Sequence, residues 1–200
     1  MDAHESLIGV LVFEGAEELD FVGPWEVLAM GASLFGGRRV VLLAESLAPV
    51  TCAKRLRVLP DLELAAAPAL EVLLVPGGRG VRRELHNPGL LEGIRRAAEP
   101  CRFVTSVCTG AALLAAAGPA RGKRVCTHHG YADELERSGQ ATVERALRFV
   151  RDGRLVSAAG VSAGIDMALW LAGQLWSIDG ARQIRRQIEY EPAPPYEFEV

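Results

Sequence analysis

The chain has no excess of basic residues. Its 22 Lys and Arg stand against 25 Asp and Glu, a formal net charge of −3. A protein that holds a phosphate backbone needs a positive surface to displace counterions, so nucleic-acid binding has no electrostatic support. There is no run of like charges to mark a tail or a membrane-surface patch. No apolar stretch approaches the length needed to cross a bilayer. The start, MDAHESLIGVLVF, has acids where a secretory leader needs bases, and its apolar run is short. These absences predict a cytoplasmic protein with no membrane or nucleic-acid partner. The four cysteines, Cys52, Cys101, Cys108 and Cys126, lack the close pairing of a zinc site. Free thiols are expected in a reducing compartment. No metal or cofactor motif is present, and no Gly-Lys-Ser/Thr follows the glycines at 77 and 78.

What remains is an ordinary globular composition, 50% hydrophobic and 24% charged over 200 residues. That suits one domain, residues 1–200, without linker or repeat. Apolar runs at Leu7–Phe13, Arg39–Ala44, Val72–Val75 and Phe103–Val107 show little alternation. Strands of a parallel sheet, covered on both faces, have that character. Helical patterns lie between them: Asp20–Ala32, Pro88–Ala98 with Asn87 as N-cap, and Thr109–Ala117 ending at Gly118. Alternation of this kind predicts an α/β fold, a parallel sheet sandwiched by helices. Asp152-Gly153, flanked by Val143–Val150 and Leu155–Ala158, predicts an added β-hairpin. Two helices, Ala163–Trp176 and Ile178–Tyr190, precede a Pro-rich tail, Glu191–Val200, that is expected to pack on the body.

Chemistry concentrates where strands end. Phe103–Val107 runs straight into Cys108 and a helix, with Ser106 and Gly110 two positions to either side. Small neighbours permit a sharp strand–helix elbow that presents a nucleophile. A helix N-terminus there lowers a thiol's pKa and offers N–H groups to developing negative charge. The alternative is a structural cysteine at a strand end. Pro76-Gly77-Gly78 follows another strand. It is either a plain turn or a place where backbone N–H approaches a substrate. Asp20 opens the first helix, as an N-cap or as an acid able to exchange protons with Cys108. His128 and His129 follow Arg124–Thr127, so a Cys–His dyad is open as well. Asp166 sits in an apolar helix and reads as a structural hydrogen-bond partner. Trp170 and Trp176 read as core or subunit interface, and His4 and His86 as surface residues.

Ser106-Val107-Cys108-Thr109-Gly110, Ala117-Gly118, Gly122-Lys123-Arg124, Thr127-His128 and Pro76-Gly77-Gly78 resemble the ThiJ/PfpI superfamily. Its members share a flavodoxin-like core with a cysteine at the elbow. Leu19-Asp20 with Gly23-Pro24, Val104–Gly110, Val150–Gly153, Ala163–Asp166 and Glu189-Tyr190 with Pro192–Pro195 resemble the bacterial isocyanide hydratases within it. Val161 stands where that pattern has Ile, and Cys126 and His129 depart from it too. The resemblance implies a lyase that hydrates a small organic isocyanide to an N-formamide without a cofactor. It implies Cys108 as nucleophile through a covalent thioimidate, Asp20 as proton donor and Thr109 as its partner. Gly77, Gly78, His128 and Val161 would line the substrate site, and a homodimer is expected, with the last two helices available for its interface. Two alternatives stand beside this reading: a glyoxalase- or deglycase-like enzyme acting on reactive carbonyls, and a cysteine redox or stress sensor. Related regulators carry a further DNA-binding domain, for which this chain is expected to be too short.

Overall fold

The computed structural model describes residues 5–192. His4 and most of the Pro-rich tail lie outside the described residues. The strands in chain order are β1 (Ser6–Leu11), β2 (Arg38–Ala44), β3 (Val50–Thr51), β4 (Arg57–Val58), β5 (Leu62–Glu63), β6 (Leu70–Val75), β7 (Phe103–Val107), β8 (Arg124–Val125), β9 (Thr142–Val143), β10 (Phe149–Asp152) and β11 (Leu155–Ala158). The helices are α1 (Glu18–Phe35), α2 (Val81–Glu84), α3 (Pro88–Ala98), α4 (Gly110–Ala117), α5 (Ala132–Arg137), α6 (Ala163–Leu175) and α7 (Ile178–Gln187).

The main sheet has seven strands in the order β10-β11-β7-β6-β1-β2-β5. Its pairings are parallel, except that β10 runs antiparallel to β11. The inner strands are buried on both faces. Ile8, Val10 and Leu11 of β1 and Val72 to Val75 of β6 have no accessible surface. Helices α1, α6 and α7 pack together, and α3 and α4 pack together separately. This is the α/β sandwich that the apolar runs predict, with the flavodoxin-like strand order that the family resemblance implies. No helix among the described residues is long and apolar enough to cross a membrane.

Three differences from the sequence reading matter for the site. Helix α1 begins at Glu18, not Asp20, with Glu17 as N-cap and Pro24 inside. Asp20 therefore lies within the first turn, and its side chain is free to point inward. The segment before His128 contributes only β8, which pairs with β9 outside the main sheet. The hairpin's first arm starts at Phe149, and β11 adds to the main sheet beside β7. Gly153 takes φ 66° in its turn, which the Asp-Gly pair foreshadows. Strands β3, β4 and β5, two residues each, fall in a stretch with no clear pattern. Asn87 accepts from Leu90 N at 3.2 Å, the expected cap of α3.

Candidate active site

The inner strand β1 has β2 on one side and β6 on the other, and the chain passes first to β2 and later across to β6, so the connections run in opposite directions from it. Ligand sites in open parallel sheets form at such a switch point, beyond the carboxyl ends of the strands. Here the loop after β1 brings Asp20, the loop after β6 brings Gly77 and Gly78, and the end of β7 brings Cys108.

Cys108 is held at φ 59°, a left-handed conformation costly for any residue with a Cβ. Two hydrogen bonds fix it there. Its N–H donates to Ala158 O on β11 at 3.1 Å. Its carbonyl accepts from Thr127 Oγ1 at 2.9 Å. Gly110 makes the turn possible, because a Cβ there would collide with the carbonyl oxygens of Val75 and Pro76. Cys108 is 6% exposed, so the sulfur sits at the bottom of a depression rather than on a surface.

Asp20 is fully buried beside it. Its Oδ2 accepts from Gly77 N at 2.9 Å, while Oδ1 has no protein partner. Burial pushes this carboxyl up to about 7, with the Gly77 N–H opposing and nearby Glu17 adding to the rise. The same burial, then the charge of Asp20, push the Cys108 thiol up to about 12. The Thr109 N–H and hydroxyl act in the opposite direction, as a helix N-terminus should. They do not win. The expectation of a lowered thiol pKa is corrected by depth of burial and by an adjacent carboxylate. The two groups titrate as a pair, in which one proton is lost near neutrality and the second is held far into the alkaline range.

Thr109 Oγ1 accepts from Gly78 N at 3.0 Å. Thus the Gly77 amide holds Asp20 and the Gly78 amide holds Thr109. Neither N–H is free for a substrate oxyanion, contrary to the sequence reading. The loop instead locks the acid and the threonine around the sulfur. A Cβ on Gly77 would come within 2.5 Å of both N and Oγ1 of Thr109.

A cavity of about 310 Å3 opens above Cys108. His128 and Val161 line it, with Thr109 and Gly78. His128 Nδ1 accepts from Gly130 N at 3.1 Å, and its ring stacks on His129 at 4.2 Å. Burial and the neighbouring His129 lower its pKa, which favours the neutral ring. No hydrogen bond joins His128 to Cys108 among the described residues, and the thiol's neighbour is Asp20. Glu17, Arg79, Arg82 and Tyr131 also line the cavity, and the sequence reading missed all four. Their positions in the segments that follow strands β1, β6 and β8 were the available signal. Among the described residues, no three His, Cys, Asp or Glu side chains converge as a metal site would require.

The family model for the DJ-1/PfpI family matches residues 7–174. The chain belongs to the DJ-1/PfpI family. It is 42% identical over 190 residues to the isonitrile hydratase of Pseudomonas putida, covering 95% of this chain and 81% of that protein. It is 26% identical over 171 residues to a glutathione-independent glyoxalase, DJR-1.2, of Caenorhabditis elegans, covering 84% and 88%. A ThiJ/PfpI family protein from Pseudomonas syringae superposes with a TM-score of 0.89 at 29% identity, over 98% of this chain and 79% of that one. DJ-1beta of Drosophila melanogaster, at 22% identity over 94% and 100%, shares the fold with a TM-score of 0.82.

The other groups singled out earlier lie apart from this DJ-1/PfpI site. Asp166 accepts from Arg148 Nε and from Tyr190 OH, the latter at 3.0 Å, and so ties α6 to the chain before β10 and after α7. Trp170 packs edge-on against Phe103, with ring centroids 5.8 Å apart. Trp176 donates to Gly36 O at 3.2 Å. Cys52, Cys101 and Cys126 are buried free thiols whose pKa values are pushed to about 11, 12 and 11 by burial.

Proposed function

We propose that the protein hydrates small organic isocyanides to N-formamides through a covalent bond to Cys108. The observation that carries this reading is the buried Asp20 carboxyl beside the thiol, pushed up to about 7. At neutral pH the pair has one proton to place. That proton rests on sulfur, the less acidic of the two groups, and its transfer to Asp20 as substrate binds makes Cys108 a thiolate facing an acid.

The sulfur attacks the terminal isocyanide carbon and the S–C bond forms. Electron density gathers on that carbon, which takes the proton from Asp20 to give R–N=CH–S–Cys108. Water then adds to the thioimidate carbon and gives a proton to the Asp20 carboxylate, which passes that proton to the nitrogen, so that the remaining hydroxyl proton is the one left to return. The C–S bond breaks, releasing R–NH–CHO and returning sulfur and proton to the pair. The sum is one isocyanide and one water to one formamide. Thr109, held by Gly78, fixes the first turn of α4 and directs its N–H at the sulfur.

The same observations favour this chemistry over addition to a carbonyl. Carbonyl attack builds charge on oxygen and calls for N–H donors, but the amides of Gly77 and Gly78 are engaged. Isocyanide attack builds it on carbon and calls for an acid. The similarity to the isonitrile hydratase supports the reading from outside the site.

The test is a panel of cyclohexyl isocyanide, an aryl isocyanide and methylglyoxal, offered to wild type and to Cys108→Ala, with formamide followed by chromatography. Steady formamide production by wild type, lost by at least a thousandfold in Cys108→Ala, is expected. Full activity in the alanine variant would end the covalent mechanism. Turnover of methylglyoxal alone would move the protein to the glyoxalases, and stoichiometric loss of the thiol to peroxide without turnover would make it a sensor.

A further inference from the structure

The rim of the cavity carries charge that the chemistry at its floor does not use. Gly78, at φ 121°, turns the chain after β6 so that Arg79 and Arg82 both border the opening above Cys108. Arg79 forms no ion pair among the described residues. Its stem leans on the loop after β1, where a Cβ on Gly15 would lie 3.4 Å from Arg79 Cγ. Arg82 sits in α2 with its guanidinium carbon 5.7 Å from the centre of the Tyr131 ring. Tyr131 is buried and lines the same cavity. Arg83, one residue on, turns away to Glu84 and to the Glu14 carbonyl. The arginines at 79 and 82 are thus the two of this segment that line the opening.

Few acids at this rim balance them. Glu17 is the carboxylate that lines the cavity, and Lys54 already holds it. Glu134 stands 3.8 Å from Arg82, with both side chains about half exposed or more, so that pairing is weak and exchangeable. Below the rim, Val161, Tyr131, Thr109 and the neutral form of His128 offer no fixed charge. Cys108 and the two arginines line one cavity, so a substrate with its isocyano carbon at Cys108 has its other end within the space that both arginines border.

We propose that Arg79 and Arg82 make the site selective for isocyanides that bear a carboxylate. This rests on the hydration reading above and names its substrate class. A guanidinium fork matches a carboxylate in charge and geometry. A cavity of about 310 Å3 is at the small end of ligand sites, so the acid is a compact one. The arginines also concentrate anions at an opening in a protein whose net charge is negative. Exposed ion pairs are individually weak, and two of them together give a preference of about tenfold in kcat/KM.

The experiment compares 4-isocyanobenzoate with its methyl ester, together with cyclohexyl isocyanide, at low salt and at high salt. The enzymes are wild type, Arg79→Gln and Arg79→Gln/Arg82→Gln. The single variant is included because it leaves Arg82 with Tyr131 and Glu134. Wild type is expected to favour the acid over the ester about tenfold at low salt, and high salt should shrink that ratio by screening. The ratio should fall in the single variant and reach about one in the double variant. Equal rates for acid and ester in wild type would overturn the selectivity while leaving hydration intact, as would an unchanged ratio in both variants. If wild type turns over none of the three isocyanides, the hydration reading itself fails, and the selectivity with it.

Discussion

Asp20 and Cys108 cannot be understood one at a time. Each is buried and raised by that burial, Asp20 raises the Cys108 thiol further, and between them they lose one proton near neutrality. Above that point the one proton left rests mainly on sulfur, and a small, constant fraction of the pair is thiolate with the proton on the carboxyl. Alkylation of Cys108 by iodoacetamide should therefore rise with pH through a step near 7 and then level off. In Asp20→Asn the acid is gone. Burial still holds the thiol above its ordinary value, so the step near 7 should vanish and reactivity should climb only at alkaline pH. A variant that kept the step would show that another group controls the thiol. Cys108 was legible in the sequence, because Ser106 and Gly110 carry the steric signature of an elbow. Its proton balance was not. The helix N-terminus argument is local, whereas the burial and the Asp20 charge that defeat it come from segments far away in the chain, which no window of sequence reveals.

At the scale of elements, the elbow is a junction of β7 and α4 tightened by the loop after β6. The strand and the helix were both readable, one from its apolar run and the other from Gly118, which takes φ 114° at the C-cap. The part played by the glycine loop was not. Gly77 and Gly78 looked like donors to a substrate, and they turn out to be spacers and clamps for Asp20 and Thr109. The two-residue strands β3, β4 and β5 were also invisible, because long-range pairing defines them and periodicity does not. Glycine substitutions separate these roles. Gly110→Ala drives a methyl into two carbonyl oxygens and should cost about 1–3 kcal/mol of stability, along with activity. Gly173→Ala, inside α6 with its nearest new neighbour at 3.8 Å, has room and should stabilise by about 0.5–1 kcal/mol through helix propensity. Urea unfolding of both variants measures the difference, and the junction argument fails if Gly110→Ala is the more stable of the two.

For the molecule as a whole, holding a neutral acid in the core makes stability depend on pH. The folded state keeps Asp20 protonated up to about 7, whereas the unfolded chain ionises it near the ordinary 3.8. Between those values the native state binds the extra proton, so stability must fall as pH rises and reach its low plateau above 7. Most of the full effect lies where other carboxylates also titrate, so the useful window begins at about pH 5.5. From there to about pH 8.5 the loss assigned to Asp20 is about 2 kcal/mol, at roughly 1.36 kcal/mol per unit of pKa difference. His128 has the opposite sign, because its lowered folded pKa removes stability as pH falls. Comparing wild type with Asp20→Asn cancels that contribution, since both proteins carry it. The side-chain oxygen of the asparagine variant can still accept from the Gly77 amide, and its NH2 group replaces Oδ1, the oxygen without a protein partner. The variant should therefore gain stability over wild type as pH rises, by about 2 kcal/mol between roughly pH 5.5 and 8.5, read from denaturant midpoints at the two pH values. A difference independent of pH would mean that Asp20 is ionised in the folded protein throughout, and the acid assigned to the isocyanide carbon would be missing.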